Sequence, residues 1–420
     1  MIVIKGADLF GKKVDIAVDG DRVAEVGDVK APKGATVVDA RGLTALPAFV
    51  DMHVHLREPG FEYKEDIESG CRAAVAGGFA AVCCMPNTKP VTDNKYIVKY
   101  VKTRAEEVGL AKVYPIAAIT VGQEGKQIAE FGKLKAAGAV AFSDDGRPVE
   151  NAQTMRVALE YAKQFDALLI SHCEELSLVA GGVINEGYTA SEAGYRGITR
   201  ASEEVMVARE IVLADALSTK VHIAHISTEG SARLIRDAKR AGIRVSCETC
   251  PHYFAATDEL AANGDPMAKV NPPLREERDR EAIVRAIQDG TVDAIVTDHA
   301  PHAAHEKGAL NDAANGISGL ETSFALSYTY LVKSGAITLQ KLSQLMTENP
   351  ARLVGVPCGR IEKGGLADIV LVDLGEQFEI EPERFFSKGK NTPFKGRKVF
   401  GRVKMTMVEG KIKFKDGEIC

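Results

Sequence analysis

Tryptophan is absent from this 420-residue sequence, and aromatic residues reach only 6%. That fits poorly with a base-stacking nucleic-acid surface or an aromatic-lined lectin groove. A basic excess is also missing: 53 Lys and Arg stand against 58 Asp and Glu, a net charge of −5. Overall charge therefore does not suit a phosphate backbone, and nucleic acid is excluded as an expected partner. An anionic substrate would have to be held by local groups against a mildly repulsive field. No apolar run approaches the ~18 residues of a membrane span. The opening MIVIKGADLFGKK lacks the basic stretch and apolar core of a signal peptide. Eight cysteines (71, 83, 84, 173, 247, 250, 358, 420) form no dense framework, so reduced thiols in the cytoplasm are expected.

Glycine is plentiful, at 39 residues, as suits a chain with many tight strand–helix connections. Eight short, nearly continuous apolar runs lie at 44–56, 79–85, 112–120, 139–144, 167–173, 220–227, 243–250 and 292–299. Strands buried on both faces have this character. Amphipathic helical patterns lie between them, at Glu62–Gly77, Lys126–Ala137, Ala201–Leu217, Ser231–Ala241 and Glu276–Asp289. Gly78, Gly109, Gly138, Gly242 and Gly290 stand where helices should close. Eight strand–helix units predict an α/β fold, a parallel (β/α)8 barrel of the TIM type, over residues 50–345. The two ends read instead as short alternating strands with Gly and Asp turns. Residues 1–49 and 346–420 are each too short for a sandwich, so both are expected to build one small β-sandwich domain around the barrel.

Histidine placement points to metal chemistry. His53 and His55 are two apart on one strand, hence on one face. Asp145, His172, His225 and Asp298 end the fourth, fifth, sixth and eighth strands, at the rim where barrel enzymes carry their active sites. Four imidazoles and two carboxylates converging there can hold two borderline divalent ions. Parity alone does not separate Asp144 from Asp145.

DMHVHLREPG (51–60) and TDHAPHAAHEK (297–307) resemble the two signature segments of dihydroorotases, in the amidohydrolase superfamily. MPNTKP (85–90), ETCPHYF (248–254), KVNPPLR (269–275), GLETSF (319–324) and the closing NPARLVG…GRIEKGGLADIVLVD are similar to that family too, so the resemblance spans essentially the whole chain. Val296 departs slightly, standing where a small residue is usual. The resemblance implies one zinc ion on His53, His55 and Asp298 and a second on His172 and His225. Many relatives bridge the two with a carboxylated lysine. AFSDDG has none, which is similar to the bacterial branch with an aspartate there and favours Asp145.

Such a family implies reversible hydrolysis of dihydroorotate to N-carbamoyl-L-aspartate in pyrimidine (UMP) biosynthesis. A zinc-activated hydroxide would attack the ring amide, with Asp298 as the catalytic proton shuttle. Arg57 would grip the substrate carboxylate, with Asn87, Asn271, His302, Asn315 and Gly316 as further substrate contacts. Candidate partners are a second copy of the chain and aspartate carbamoyltransferase. Hydantoinase or allantoinase activity is the near alternative, and a non-catalytic scaffold for that transferase the distant one. Arg57 and the aspartate at 145 argue against a hydantoinase, the filled ligand positions against the scaffold.

Other chemical residues read as structural. Cys247 and Cys250 form a CxxC without a second pair. Cys83 and Cys84 sit in an apolar strand, and Cys173 should point away from His172. His222, three before His225, is expected on the opposite face. His299, one after Asp298, is expected to reach at most an outer contact, and His252 and His305 have no assigned role. The AGG at 76–78 lacks phosphate-loop spacing. The stretch from Lys307 to Asn315 reads as a flexible loop.

Overall fold

A computed structural model describes all residues, 1–420. Eight strands pair in parallel and in sequence: Phe49–Val54, Phe79–Cys84, Lys112–Ala117, Ala141–Ser143, Leu169–Ser171, Val221–Ile223, Val245–Thr249 and Ala294–Ile295. A parallel bridge between Val54 and His299 closes the circle. Every residue of the first two strands is buried, because helices cover the outside while side chains fill the inside. The main core, 95 buried residues, is centred on this barrel and its helices.

Helix boundaries follow local chemistry. The first helix begins at Ile67, not Glu62, because Asp66 caps it by accepting from Ser69 N at 2.7 Å. The 126–137 pattern becomes helical only at Phe131, since its first residues turn back on the preceding strand end through a Thr120–Ile128 bridge. Gly109 and Gly138 close their helices in the left-handed region, at φ 63° and 113°.

Both chain ends enter one nine-stranded sheet. Ile2–Leu9, Lys12–Asp19 and Arg22–Gly27 come from the front, Ile369–Glu379 and Lys398–Val408 from the back. The seam is the antiparallel pairing of Thr44–Pro47 with Ile369–Val372. Ile4, Ile16, Val18, Ile369, Leu371 and Met407 share a second core of 13 residues.

The apolar run 44–56 is therefore two strands rather than one. Thr44–Pro47 belongs to the terminal sheet and Phe49–Val54 to the barrel. Ala48 is the crossing point: its N–H donates to Asp368 O, and Phe49 N donates to Gly78 O.

Candidate metal centre

The barrel strands aim their C-terminal ends at one buried cluster. His53 and His55 stand on the first strand end, with His172 directly after the fifth strand. Asp145, His225 and Asp298 lie two or three residues past theirs. Arg57, His225 and Asp298 take positive φ of 64°, 31° and 46°. Each such backbone costs roughly 1–3 kcal/mol and persists only where its surroundings enforce it.

Asp145 is the hub. Its Oδ1 lies 3.3 Å from His53 Nε2, 3.5 Å from His225 Nε2 and 3.6 Å from His172 Nδ1, while Oδ2 is 3.3 Å from His55 Nε2. Asp298 Oδ1 is 3.1 Å from His55 Nε2 and 3.5 Å from His53 Nε2. His172 Nδ1 and His225 Nε2 face one another at 2.9 Å. Donors on one tetrahedral zinc, with bonds near 2.1 Å, stand roughly 3.4 Å apart, so the set has ligand spacing. Potential ligand atoms of His53, His55 and Asp298 gather within 4.8 Å of one another, as do those of His53, Asp145 and His225. His53 Nε2 and Asp145 Oδ1 are fully buried yet have no hydrogen-bond partner. Buried polar atoms left this way fit a cation. Asp144 is spent elsewhere, accepting from Ile119 N at 2.8 Å and Thr120 N at 3.1 Å.

The electrostatics agree. Burial works against ionising Asp298, but the His55 hydrogen bond and the charges of His53, His55 and His225 hold it at about 2. Burial likewise opposes a charged His172, yet Asp145 and Glu174 lift it to about 10. The carboxylates draw positive charge onto His53 and His172, while burial lowers His55, and a divalent cation answers the same field.

Above the cluster is a cavity of about 180 Å³, room for one small ring. Arg57, Asn87, Asn271, His302, Asn315 and Gly316 all line it. Arg57 is 9% exposed, and the polar contacts of its guanidinium are Nε to Pro301 O and Nη2 beside His302 Nε2, each at 3.3 Å. Burial lowers its pKa, and Asp298 and Asp145 offset this only as distant charges; neither forms an ion pair with it. Asn87 Oδ1 accepts from His55 Nδ1 at 2.9 Å, which leaves its amide nitrogen for the cavity. Burial and the nearby cations Arg57, Lys64 and Lys307 push His302 down to about 3, so its ring is neutral, and Nε2 donates to Asn315 O. Gly316 has φ 145°, and a Cβ there would lie 2.6 Å from Ala300 O, so only glycine fits.

A sequence family described as Dihydro-orotase-like matches residues 42–231, and one described as Amidohydrolase family matches 193–414. The dihydroorotase of Acetivibrio thermocellus is 49% identical over 98% of both chains. The chain belongs to the dihydroorotase family. The dihydroorotase of Geotalea daltonii is 50% identical over 98% of this chain and 97% of its own. Among solved structures, an L-hydantoinase (dihydropyrimidinase) from Arthrobacter aurescens superimposes with a TM-score of 0.89 at 24% identity, covering 100% of this chain and 97% of its own. At that identity the likeness speaks for the fold alone.

Within this member of the dihydroorotase family, two buried carboxylates escaped sequence reasoning. Glu248 Oε1 lies 2.6 Å from His53 Nδ1, and Glu174 joins His172 Nε2 at 3.3 Å to Asn271 Nδ2 at 3.0 Å. The signal for Glu248 was a lone acid in an apolar strand. His222 is not turned away from the site: it lies inside the barrel, 3.1 Å from Glu248 Oε2. Alternation stops at Ile223 and His225 has left-handed backbone, so counting by three gave the wrong face. His299 does point elsewhere, to Glu65 at 3.2 Å. His252 is buried with Nε2 unpartnered, and His305 is exposed. Cys247 and Cys250 are buried free thiols. The 307–315 stretch is a pinned loop: Lys307 Nζ donates to Pro266 O at 3.1 Å and Lys269 O at 3.0 Å, and Ala314 N to Glu306 O.

Proposed function

We propose that the chain interconverts dihydroorotate and N-carbamoyl-L-aspartate in pyrimidine synthesis, with zinc held by His53, His55, Asp145, His172, His225 and Asp298. Six donors of this kind would suit two ions, with Asp145, which lies within 3.6 Å of all four imidazoles, among the residues that would hold them. Zinc in this position supplies a Lewis acid for the ring carbonyl and makes water acidic near neutral pH.

The chain's own groups do the rest. Asp298, ionised within reach of His55 and His53, accepts the proton of the attacking water and delivers it to the departing ring nitrogen. Arg57 grips the ring carboxylate with parallel N–H bonds, and Asn87 adds its free amide. His302, neutral and next to Arg57, joins Asn271 and the backbone at Asn315 and Gly316 in lining the cavity.

Arg57 is the observation that carries this reading: a buried guanidinium beside the metal cluster, lacking a carboxylate partner of its own. Hydantoin has no carboxylate to offer it, so a hydantoinase would bury that charge to no purpose. An activity panel with dihydroorotate, hydantoin and allantoin at saturating zinc tests the assignment. Turnover of dihydroorotate alone is expected; preference for either neutral ring would overturn it.

A further inference from the structure

The barrel interior beneath the metal cluster is polar where such barrels are usually filled by branched apolar side chains. Glu248, on the seventh barrel strand, is completely buried there, and no lysine or arginine pairs with it. Its carboxylate is held only by imidazoles: Oε1 at 2.6 Å from His53 Nδ1, Oε2 at 3.1 Å from His222 Nε2. His222 is steadied in turn by Ser246 Oγ, 2.8 Å from Nδ1, since the two residues are register partners on adjacent strands. Burying a carboxylate with no lysine or arginine beside it is costly, so the arrangement needs a return.

We propose that Glu248 is the positioning residue of the metal centre, with His222 and Ser246 holding it in place. The inference rests on the metal-site reading above. A carboxylate on Nδ1 keeps the His53 proton on that nitrogen and locks the ring. The Nε2 lone pair then faces Asp145 and Asp298, where that atom is otherwise unpartnered. Zinc held there would bring more positive charge than Asp145 and Asp298 offset, and Glu248 would balance part of it. Glu248 does not line the substrate cavity, so it acts on the metal rather than the ring.

The test compares the full chain with E248A and E248Q. Zinc affinity is measured by chelator competition, with thermal stability of the zinc-free proteins and kcat and KM at rising zinc alongside. E248A is expected to bind zinc roughly 10- to 100-fold more weakly, the usual effect of losing such a partner. E248Q keeps an acceptor for His53 Nδ1 and a donor for His222 without the charge, so it should fold and fall between. KM should hold steady in both, and excess zinc should recover most of kcat. Equal zinc affinity in wild type and E248Q or E248A would overturn the inference while leaving the metal site standing. A wild-type chain that binds no zinc would instead overturn the metal-site reading, and this inference with it.

Discussion

Replacing Arg57 with methionine keeps the aliphatic stem and removes only the guanidinium. In the free protein that group makes just two polar contacts, both at 3.3 Å, and has no ion-pair partner. The interactions lost are therefore almost wholly those with substrate. Two parallel charge-assisted hydrogen bonds are worth roughly 1.5–3 kcal/mol each before non-additivity is allowed for, so about 3–4 kcal/mol is a fair expectation. At 1.36 kcal/mol per tenfold, kcat/KM for dihydroorotate should fall roughly 100- to 1000-fold, chiefly through KM. Dihydrouracil, the same ring without its carboxylate, should open far more slowly than dihydroorotate in wild type, and that residual rate should hardly change. Stability makes a second, less intuitive point. Burial already disfavours the charged side chain, so its removal should leave Tm unchanged or raised. The assay follows ring opening of both substrates in wild type and Arg57→Met, with a melting curve of each. An equal loss toward both rings, or a Tm lowered by several degrees with no change in selectivity, would show that Arg57 does not hold the substrate carboxylate.

Three further outcomes follow from the geometry. Asp145→Asn should strip zinc, while Asp144→Asn should keep it and instead lose stability, because Asp144 accepts from Ile119 N and Thr120 N; metal analysis and melting curves separate the two. Asp298→Ala should abolish turnover while dihydroorotate still binds at Arg57, which calorimetry would detect. Glu321 is raised to about 8 by burial, against hydrogen bonds from Phe386 N and Ser387 N. Its folded form holds the proton more tightly than the unfolded chain, so its contribution is complete below the ordinary carboxylate range and fades as pH rises toward 8. Denaturant melts should show that decline between about pH 5 and 8, and Glu321→Gln should flatten it.

Much of the fold could be read from the amino acids because two periodicities are strong. Strands buried on both faces write themselves as continuous Val, Ile and Ala, and a histidine or aspartate at such a strand's end has few structural uses. His53, His55, His172 and Asp298 stood out for that reason. The break at Ala48 did not, because both halves of the run are apolar and only the partner strand tells them apart. Glu248 was hidden for a different reason. Its role depends on His53 from a strand 195 residues away, and no local pattern records such a contact. His222 was misplaced because parity was carried past Ile223 into irregular backbone. The pinning of the 307–315 loop comes from a lysine reaching carbonyls on another segment, which spacing does not reveal.

Zinc on the histidines and aspartates at the barrel rim is what we propose opens the dihydroorotate ring in this family member. The most direct measurement strips the chain with chelator, returns zinc in steps, and records bound zinc together with dihydroorotate turnover. No turnover is expected in the stripped chain, with a rise that levels off by two zinc ions per chain. Undiminished turnover without metal, or a zinc-loaded chain that leaves dihydroorotate untouched, would contradict it.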